Sequence, residues 1–322
     1  MGQRTEVKPE SNPLDIPIDI PFLLTVAALL VIGLLMLYSA SWDVSWQANK
    51  DVNSYFVRQL LWLSIGTAGG LFLFFMDYHR WKKNHLAILA IVFTLGLLLA
   101  VLVIGKGSAR SLFGGKSVQP SELAKLVIVI YLAVWLDSKG EMIKKVGFGL
   151  VPLSLILGSV GGLIAVQTDV SAAVTVFFLG LLLFFMAGGS LFQILILVLL
   201  SGTLGSGIVA FRKPEVYQRI VDFWIGIQDI NAVGSEQIIK SYTAFVNGGW
   251  FGVGLGRGVA KLVLLPVPHT DSIFAVVGEE LGFVGSTVLV LLYSLLLWRG
   301  LRIAKKASDG LGSLLAAGLT FW

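Results

Sequence analysis

Long apolar blocks limit what this 322-residue chain can fold into. Mostly apolar stretches recur along the sequence, many close to the ~20 residues that a helix needs to cross a hydrocarbon core of about 30 Å. Charged residues make up 13% of the chain, about half of the roughly 25% usual in globular domains, so polar side chains are too few to cover a water-facing surface. The sequence therefore predicts an all-α, polytopic helical membrane protein and excludes a soluble enzyme.

The apolar stretches predict about nine spans. They are 22–40, 60–76, 86–104, 123–136, 148–166, 170–187, 191–210 and 273–298, with a ninth beginning at Leu311. Because the ninth stretch stops at Trp322 without a polar end, we expect a C-terminally truncated chain that lacks at least one span. Residues 1–21 are predicted to form an N-terminal tail, and residues 22–322 a single membrane domain.

Positive charge predicts the orientation of these spans. Three short loops share a basic character: Arg80, Lys82 and Lys83, then Lys139, Lys144 and Lys145, then Arg299, Arg302, Lys305 and Lys306. If spans alternate in direction, all three loops lie on one side, which the positive-inside rule makes cytoplasmic, together with the N-terminus. The opposite side then holds one long extracytoplasmic loop at about 211–271. Apolar residues at helical spacing in 216–227 and 238–246 predict two amphipathic helices within that loop.

Several kinds of chemistry are excluded or weakly supported. The chain has no cysteine, so it has neither disulfides nor a thiol site, and its three histidines are too scattered to suggest a metal cage. The glycine-rich block 248–256 lacks the spacing of a nucleotide-binding loop. Close backbone approach or a hinge is the expected use of those glycines.

Charged residues at the ends of predicted spans mark candidate sites. The cations Lys106, Arg110 and Lys116 lie on the side where positive charge is normally sparse, so they meet either lipid phosphates or a phosphorylated ligand. Glu122 and Lys125 share one helix face where the chain enters the membrane, which allows a functional site or a structural ion pair.

Two aspartates leave similar alternatives open. Asp169 is expected to cap the helix that begins at Val170, with a functional role as the alternative. Asp271 follows His269 and Thr270 at the predicted start of span eight, with Glu279 and Glu280 about two turns deeper in the membrane. A carboxylate at such a boundary can serve as a general base, or simply as a helix N-cap.

Taken together, these motifs resemble the SEDS family of bacterial cell-wall polymerases, which includes FtsW and RodA. The matching segments run in family order over essentially the whole chain: 38–41, 107–110, 119–125, 217–220, 248–256, 269–271 and 279–282. The glycine block and the end of the first span are more similar to FtsW. The chain departs from the family pattern at Ser111, Thr168, Ser171 and Ser272, none of which removes a charged group.

The resemblance implies a SEDS fold of ten spans in the bacterial cytoplasmic membrane and an inverting glycosyltransferase. Its substrate would be lipid II, polymerised at the outer membrane face in cell division, with a RodA-like role in elongation as the alternative. Asp271 would be the catalytic base. The resemblance also implies a set of substrate-binding residues: Arg110, Gln119, Ser121, Glu122, Lys125, His269, Thr270, Glu279 and Glu280.

The same resemblance implies partners and allows a cofactor. A class B penicillin-binding protein would crosslink the product, and divisome or elongasome membrane proteins would be further partners, with no role for nucleic acid. A divalent cation, Mg²⁺ or Mn²⁺, near Asp271 and Glu122 is allowed but not required. A lipid II flippase and a non-catalytic scaffold are the competing hypotheses, although charges clustered at the outer boundary favour an enzyme over a transporter.

Overall fold

The computed structural model describes residues 18–83, 85–104, 119–167, 169–212, 221, 224–225, 236–265 and 268–322, and the regular structure in these ranges is helical. The helices before the long loop are α1 Ile20–Asn49, α2 Ser54–Phe75, α3 Arg80–Lys83, α4 Leu86–Ile104, α5 Pro120–Lys139, α6 Leu150–Val166, α7 Val170–Met186 and α8 Leu191–Arg212. The later helices are α9 Glu236–Gly248, α10 Ala260–Val263, α11 Ile273–Lys306 and α12 Gly310–Phe321.

The helices confirm a multi-pass membrane protein. In the described part of the chain, four helices are long and apolar enough to cross a bilayer: Ile20–Gln47, Ser54–Phe75, Leu86–Val103 and Ile273–Lys306. Shorter apolar helices include Leu150–Val166, Val170–Met186 and Gly310–Phe321. Each predicted span corresponds to a helix, and the 86–104 helix has the predicted bounds. The total of nine spans stays a prediction.

The long loop is only partly described. Its second predicted amphipathic helix is confirmed as α9, whereas the first, at 216–227, falls almost wholly outside the described residues. Arg110 and the other residues of 105–118 are outside them as well.

Within the described ranges, most of the buried apolar side chains belong to one of two clusters. The larger one joins α4, α5, α6, α7 and α12. The smaller one joins α1 and α11 to the loop helices α9 and α10. Its buried members are Met36, Ala40, Ala244, Ala260, Leu265, Ala275, Val276 and Val277. The loop segment that leads to Asp271 is therefore packed against α1 and not detached from the bundle.

Helix α11 is broken at Gly282, and the glycine-rich block fills the break. Gly282 has φ 69° and ψ −168°, a conformation essentially confined to glycine. The carbonyls of Glu279 and Glu280 accept hydrogen bonds from the backbone of residues 253 and 254, at 3.0 and 3.1 Å. The amides of residues 283 and 284 in turn donate to the carbonyls of residues 249 and 250, at 2.9 and 3.0 Å. The backbone groups freed by the break are thus paired with the loop.

Close approach explains two glycines of that block. A Cβ atom on Gly248 would overlap the Gly278 carbonyl oxygen, and one on Gly252 would overlap the Glu280 carbonyl oxygen. Any side chain at these two positions would push the block away from α11. The predicted use of these glycines in close backbone approach is confirmed.

Helices α1 and α11 are fastened to each other at two levels. At one level, Arg299 donates from Nε (3.0 Å) and Nη2 (2.6 Å) to Asp19, which also caps α1 through the Phe22 amide. At the other, Ser39 Oγ lies 2.7 Å from Glu280 Oε1. About 20 residues separate the two levels along each helix, which corresponds to ~30 Å, the thickness of a hydrocarbon core. We call these levels the Arg299 end and the Ser39 end of the bundle.

The predicted basic loops meet at the Arg299 end. Lys82 Nζ lies 2.7 Å from Asp137 Oδ2 at the last turn of α5, and Tyr78 donates a 2.6 Å hydrogen bond to Asp309 between α11 and α12. These contacts join all three basic loops, and confirm that they share one side of the bundle.

Candidate active site

Asp271 lies on a short turn directly before α11. Its side chain is exposed, and no donor from the described residues forms a hydrogen bond or ion pair with its carboxylate. The N-cap of α11 is Ser272, so Asp271 does not act as the helix cap that the sequence left open. Its carboxylate is therefore available to a ligand.

The contact between Ser39 and Glu280 gives one measure of how deep Glu280 lies relative to the span of α1. If the Ser39–Glu280 contact marks the membrane boundary, as the helix rise indicates, Glu280 lies at that boundary and not two turns inside it. Asp271, nine residues earlier in the chain, then belongs to the segment outside the span. In that case the part of α11 before its break at Gly282 would lie outside the span, and the depth of Glu279 and Glu280 stays a prediction.

His269 packs beside aromatic and cationic side chains of α2. Its ring meets that of Tyr55 edge-on at 4.9 Å, and the Arg58 guanidinium lies 4.8 Å from the centre of the Tyr55 ring. Burial, reinforced by the positive charge of Arg58, lowers the pKa of His269 below its usual range. The imidazole is therefore neutral at pH 7, and its buried Nδ1 has no hydrogen-bond partner within the described part of the chain.

Glu122 and Lys125 form the ion pair that their spacing predicts. Lys125 Nζ lies 2.7 Å from Glu122 Oε2 on the first turns of α5. The Lys125 side chain is 15% exposed and that of Glu122 is 51% exposed. Because both ions stay within one helix, the pair does not lock two helices together, which removes the main structural reason for it.

Asp169 organises the other polar residues at the start of α5. Its Oδ1 accepts from the Ala172 amide and caps α7, as predicted. Its Oδ2 accepts from Gln119 Nε2 at 2.6 Å and from the buried Ser121 hydroxyl at 2.9 Å. These contacts engage Gln119 and Ser121 in joining α5 to α7, and their predicted role in substrate binding stays a prediction.

Glu279 and Glu280 are engaged inside the protein. Glu279 accepts hydrogen bonds from the amides of Val259 and Ala260, at 3.0 to 3.1 Å, where α10 begins. Glu280 accepts from Ser39, from the Gly256 amide and from Lys261. Both glutamates are almost fully buried. This geometry favours bracing of the loop over the substrate contact predicted for them, which no described contact supports.

Lys261 is the charged residue that sequence reasoning missed. Its side chain is 2% exposed and lies 2.6 Å from Glu280 Oε1. The available signal was the position of a single lysine inside the apolar segment 259–265, since a cation in such a segment is costly unless it is paired.

The described contacts of the candidate residues form three groups: one on α5 and α7, one on α1, α10 and α11, and one where His269 meets Tyr55 of α2. Across the described ranges, no cluster of three or more histidine or acidic residues could hold a metal ion. The carboxylates of Glu122 and Asp271 are exposed, and each could supply one oxygen ligand to a cation that also binds substrate phosphates.

Apolar helices long enough to cross a membrane, with the exposed carboxylates of Glu122 and Asp271 at helix ends, indicate a polytopic membrane protein with a candidate catalytic site. The family of cell cycle proteins FtsW, RodA and SpoVE matches residues 21–322. The chain belongs to this family, which confirms the resemblance and the SEDS fold.

Individual relatives agree with this assignment. The chain is 36% identical to the probable peptidoglycan glycosyltransferase FtsW of Trichlorobacter lovleyi over 310 residues, which is 92% of this chain and 78% of that protein. It is 38% identical to the stage V sporulation protein E of Bacillus subtilis over 301 residues, 90% of this chain and 80% of the relative.

Solved structures share the fold. A chain from a peptidoglycan synthase complex that coordinates polymerization and crosslinking superposes with a TM-score of 0.74 at 27% identity, covering 95% of this chain and 83% of that one. The rod shape determining protein RodA of Thermus thermophilus superposes with a TM-score of 0.64 at 25% identity, covering 96% and 82%.

Proposed function

We propose that this protein is a peptidoglycan glycosyltransferase that polymerises lipid II, with Asp271 as the general base. The observation that carries the assignment of Asp271 is its free, exposed carboxylate on a segment with packed flanks. A carboxylate committed to a helix cap or an ion pair is a poor proton acceptor, whereas a free one can take a proton from a bound hydroxyl.

The proposed orientation puts Asp271 outside the cell. The basic loops that meet at the Arg299 end supply the excess of lysine and arginine that marks a cytoplasmic side. The Ser39 end then faces outward from the bacterial cytoplasmic membrane. An activated, lipid-linked sugar donor is compatible with that side, because the reaction needs no nucleotide.

The proposed reaction is a single displacement with inversion. The 4-hydroxyl oxygen of the acceptor sugar attacks the anomeric carbon of the donor while its proton passes to Asp271. The bond from that carbon to the pyrophosphate oxygen breaks, and undecaprenyl pyrophosphate leaves with the bonding electron pair. General-base assistance of this kind typically contributes about 10² to 10⁴ in rate.

Cations are proposed to balance the charge that develops on the leaving pyrophosphate. Lys125, held by Glu122 at the start of α5, is the described candidate, and Arg110 is proposed from the sequence to act with it. Electrostatic stabilisation of this kind is often the largest single contribution to catalysis. Glu122 and Asp271 could each supply one oxygen ligand to a divalent cation, which would help to stabilise the same negative charge when bound.

The proposed biological role is septal wall synthesis with a class B penicillin-binding protein. Support comes from relatives named FtsW and from the similar chain in a complex that couples polymerization to crosslinking. Depletion in growing cells tests the role: filaments are expected, whereas rounded cells would indicate a RodA-like role in elongation.

Glycan synthesis from labelled lipid II tests the activity directly. The full-length protein is purified with its class B partner, whose transpeptidase is blocked, and is compared with Asp271→Asn. The matched control is Asp43→Asn, because Asp43 is an acidic residue on α1 beyond Ser39 whose carboxylate contacts only Gln47 among the described residues.

Each outcome decides one part of the proposal. Polymer from the native protein and from Asp43→Asn, with none from an equally stable Asp271→Asn, is the expected result. Equal polymer from all three proteins would remove Asp271 from the chemistry. No polymer from the native complex would overturn the glycosyltransferase and return the lipid II flippase to consideration.

A further inference from the structure

Three buried polar side chains meet at the Ser39 end of the bundle, and the proposed reaction uses none of them. Ser39 comes from α1, Lys261 from α10 and Glu280 from α11. Lys261 Nζ lies 2.6 Å from Glu280 Oε1 and donates to Ser39 Oγ at 2.8 Å. The Ser39 hydroxyl lies 2.7 and 2.8 Å from the two Glu280 oxygens. We call these three residues the buried triad.

The triad also holds the backbone of the loop. The Gly256 amide donates to Glu280 Oε2 at 2.9 Å, and Lys261 Nζ donates to the Gly256 carbonyl oxygen at 3.1 Å. The charged groups of Lys261 and Glu280 are 2% and 0% exposed, so bulk water does not solvate either ion. Each ion is instead surrounded by polar atoms of the protein.

Burial of an ion pair is an inefficient way to stabilise a fold. Removing two charges from water costs several kcal/mol per ion, and replacement of a buried pair by well-packed apolar residues is often neutral or stabilising. Such a pair does specify one relative arrangement of the segments that carry it, because its hydrogen bonds are satisfied in that arrangement only. The triad is therefore better explained by the positions in which it holds the neighbouring segments.

Asp271 is the residue whose position the triad can define. The loop before it, through Ala260 and Leu265, packs in the same small cluster as Met36 and Ala40 of α1. The helix after it enters that cluster through its first turn, at residues 275–277. Asp271 itself is exposed between these two packed flanks, so its location follows from how the flanks are seated on α1.

We propose that the buried triad of Ser39, Lys261 and Glu280 positions the Asp271 segment relative to α1, which makes Lys261 and Ser39 positioning residues. The proposal rests on the proposed general-base role of Asp271. The triad makes no contact with the reacting atoms. It fixes the distance from the carboxylate to a substrate bound against the membrane helices, where a misplacement of about 1 Å can cost ~10² in rate.

The sharpest test removes the link to α1 and leaves the ion pair in place. Ser39→Ala deletes the hydroxyl, and Ser39→Thr retains one. The matched control is Ser41→Ala: Ser41 lies two residues further along α1, is equally buried, and its hydroxyl has no partner in the described part of the chain. Polymerisation kinetics with lipid II are measured for all three variants at equal thermal stability.

A positioning role predicts a selective loss in kcat. We expect kcat to fall at least tenfold in Ser39→Ala, with KM within about twofold of the native value, because the substrate site itself is intact. Ser39→Thr should recover most of the activity, and Ser41→Ala should match the native protein. Equal kcat in Ser39→Ala and Ser41→Ala would overturn the proposal.

A double variant separates position from stability. In Lys261→Met with Glu280→Leu, both charges are replaced by apolar side chains of similar size, so folding should be retained. If the triad only stabilised the fold, this variant would recover native kcat. We expect its kcat to remain at least tenfold below native while its unfolding temperature is unchanged.

Amide hydrogen exchange tests the same claim without any activity. Ser39→Ala should accelerate exchange in the loop peptide 256–265 by about tenfold and leave the α5–α7 peptides unchanged. If the native protein makes no polymer, the proposed function fails and exchange alone decides the proposal. Unchanged loop exchange in Ser39→Ala would then overturn it.

Discussion

Ser121, in the first turn of α5, donates a 2.9 Å hydrogen bond to the carboxylate of Asp169, the N-cap residue of α7. The acceptor is buried, and its second oxygen is occupied by the Ala172 amide and the Ser171 hydroxyl. One side chain therefore caps the beginning of α7 and anchors the first turn of α5. The position of the Glu122–Lys125 pair, which begins on the same first turn of α5, depends on this anchor.

Asp169→Asn is expected to weaken that anchor. The amide oxygen can still cap α7, but the NH₂ group that replaces Oδ2 cannot accept from Gln119 and Ser121. Loss of hydrogen bonds to a charged, buried acceptor should lower the free energy of unfolding by about 1.5–3 kcal/mol. Thermal unfolding in detergent measures the effect. Ser171→Ala, which removes a single peripheral contact, serves as the control and should change stability by less than half as much.

Substitutions of Lys125 and Glu122 should lower kcat/KM by different amounts even though the two residues form one ion pair. Solvent-accessible ion pairs contribute roughly 0.2–1 kcal/mol, and the Glu122 side chain is half exposed, so neither Glu122→Gln nor Lys125→Met should change the free energy of unfolding by much more than this. Loss of the cation should lower kcat/KM for lipid II by about 10- to 100-fold, corresponding to ~1.4–2.7 kcal/mol. The Glu122→Gln variant keeps the cation and should lose less. Equal kinetic losses would indicate that the pair acts as a unit.

Charge spacing along the sequence predicts much of this end of the molecule, because it depends on local geometry. Glu122 and Lys125 pair as their three-residue separation requires, and Asp169 caps α7 as its position before Val170 suggests. The second contact of Asp169 could not be predicted in the same way. It depends on how α5 packs against α7, and nothing in either segment alone specifies that contact.

Gly282→Ala tests the break in α11. A non-glycine residue at φ 69° and ψ −168° carries a strain of about 1–3 kcal/mol, and its Cβ would overlap the amide of Gly252. We expect a destabilised protein with little polymerase activity. Gly33→Ala is the matched control, because a Cβ there meets no atom within 4 Å and helical alanine is preferred to glycine. A neutral Gly282→Ala would show that the break is not required.

The break itself is beyond what apolar periodicity can reveal. The stretch from residue 273 to 298 appears as one continuous span, and the sequence places Glu279 and Glu280 inside the membrane. The structure pairs their backbone carbonyls with loop amides and buries their side chains against α1 and α10. Only the glycines of 248–256 hinted at a close approach, and they did not identify the element approached.

Stability should depend on pH at the Arg299 end. The hydrogen bond that the His79 ring donates to the Asp77 carboxylate raises the pKa of His79 above its usual value of 6.5, with a further contribution from the charge of Asp309. Because the pKa of His79 is higher in the folded state than in the unfolded state, protonated His79 stabilises the fold. This stabilisation is fully present below the pKa of His79 in the unfolded state. It is lost as the pH rises through the folded pKa. The difference in unfolding temperature between the native protein and His79→Gln should therefore be largest near pH 6. It should shrink toward zero as the pH rises.

Tyr78→Phe provides the control for this pH dependence. Tyr78 donates to Asp309 beside His79, and that hydrogen bond raises the pKa of the phenol further above its usual value of 10. The hydroxyl stays protonated between pH 6 and pH 9, so its removal should lower stability by a constant amount over that range. A constant difference for His79→Gln as well would contradict the predicted titration.

The contact between Ser39 and Glu280 joins positions 241 residues apart in the chain. At ~5–20 residues per second, a ribosome needs roughly 10–50 s to make the second partner after the first. During this interval α1 is already in the bilayer, with Asp19 and Ser39 both lacking the groups that they bind in the finished protein. Helix α1 can thus complete its contact with α11 only late in synthesis, and until then the newly made chain has no fixed place for Asp271.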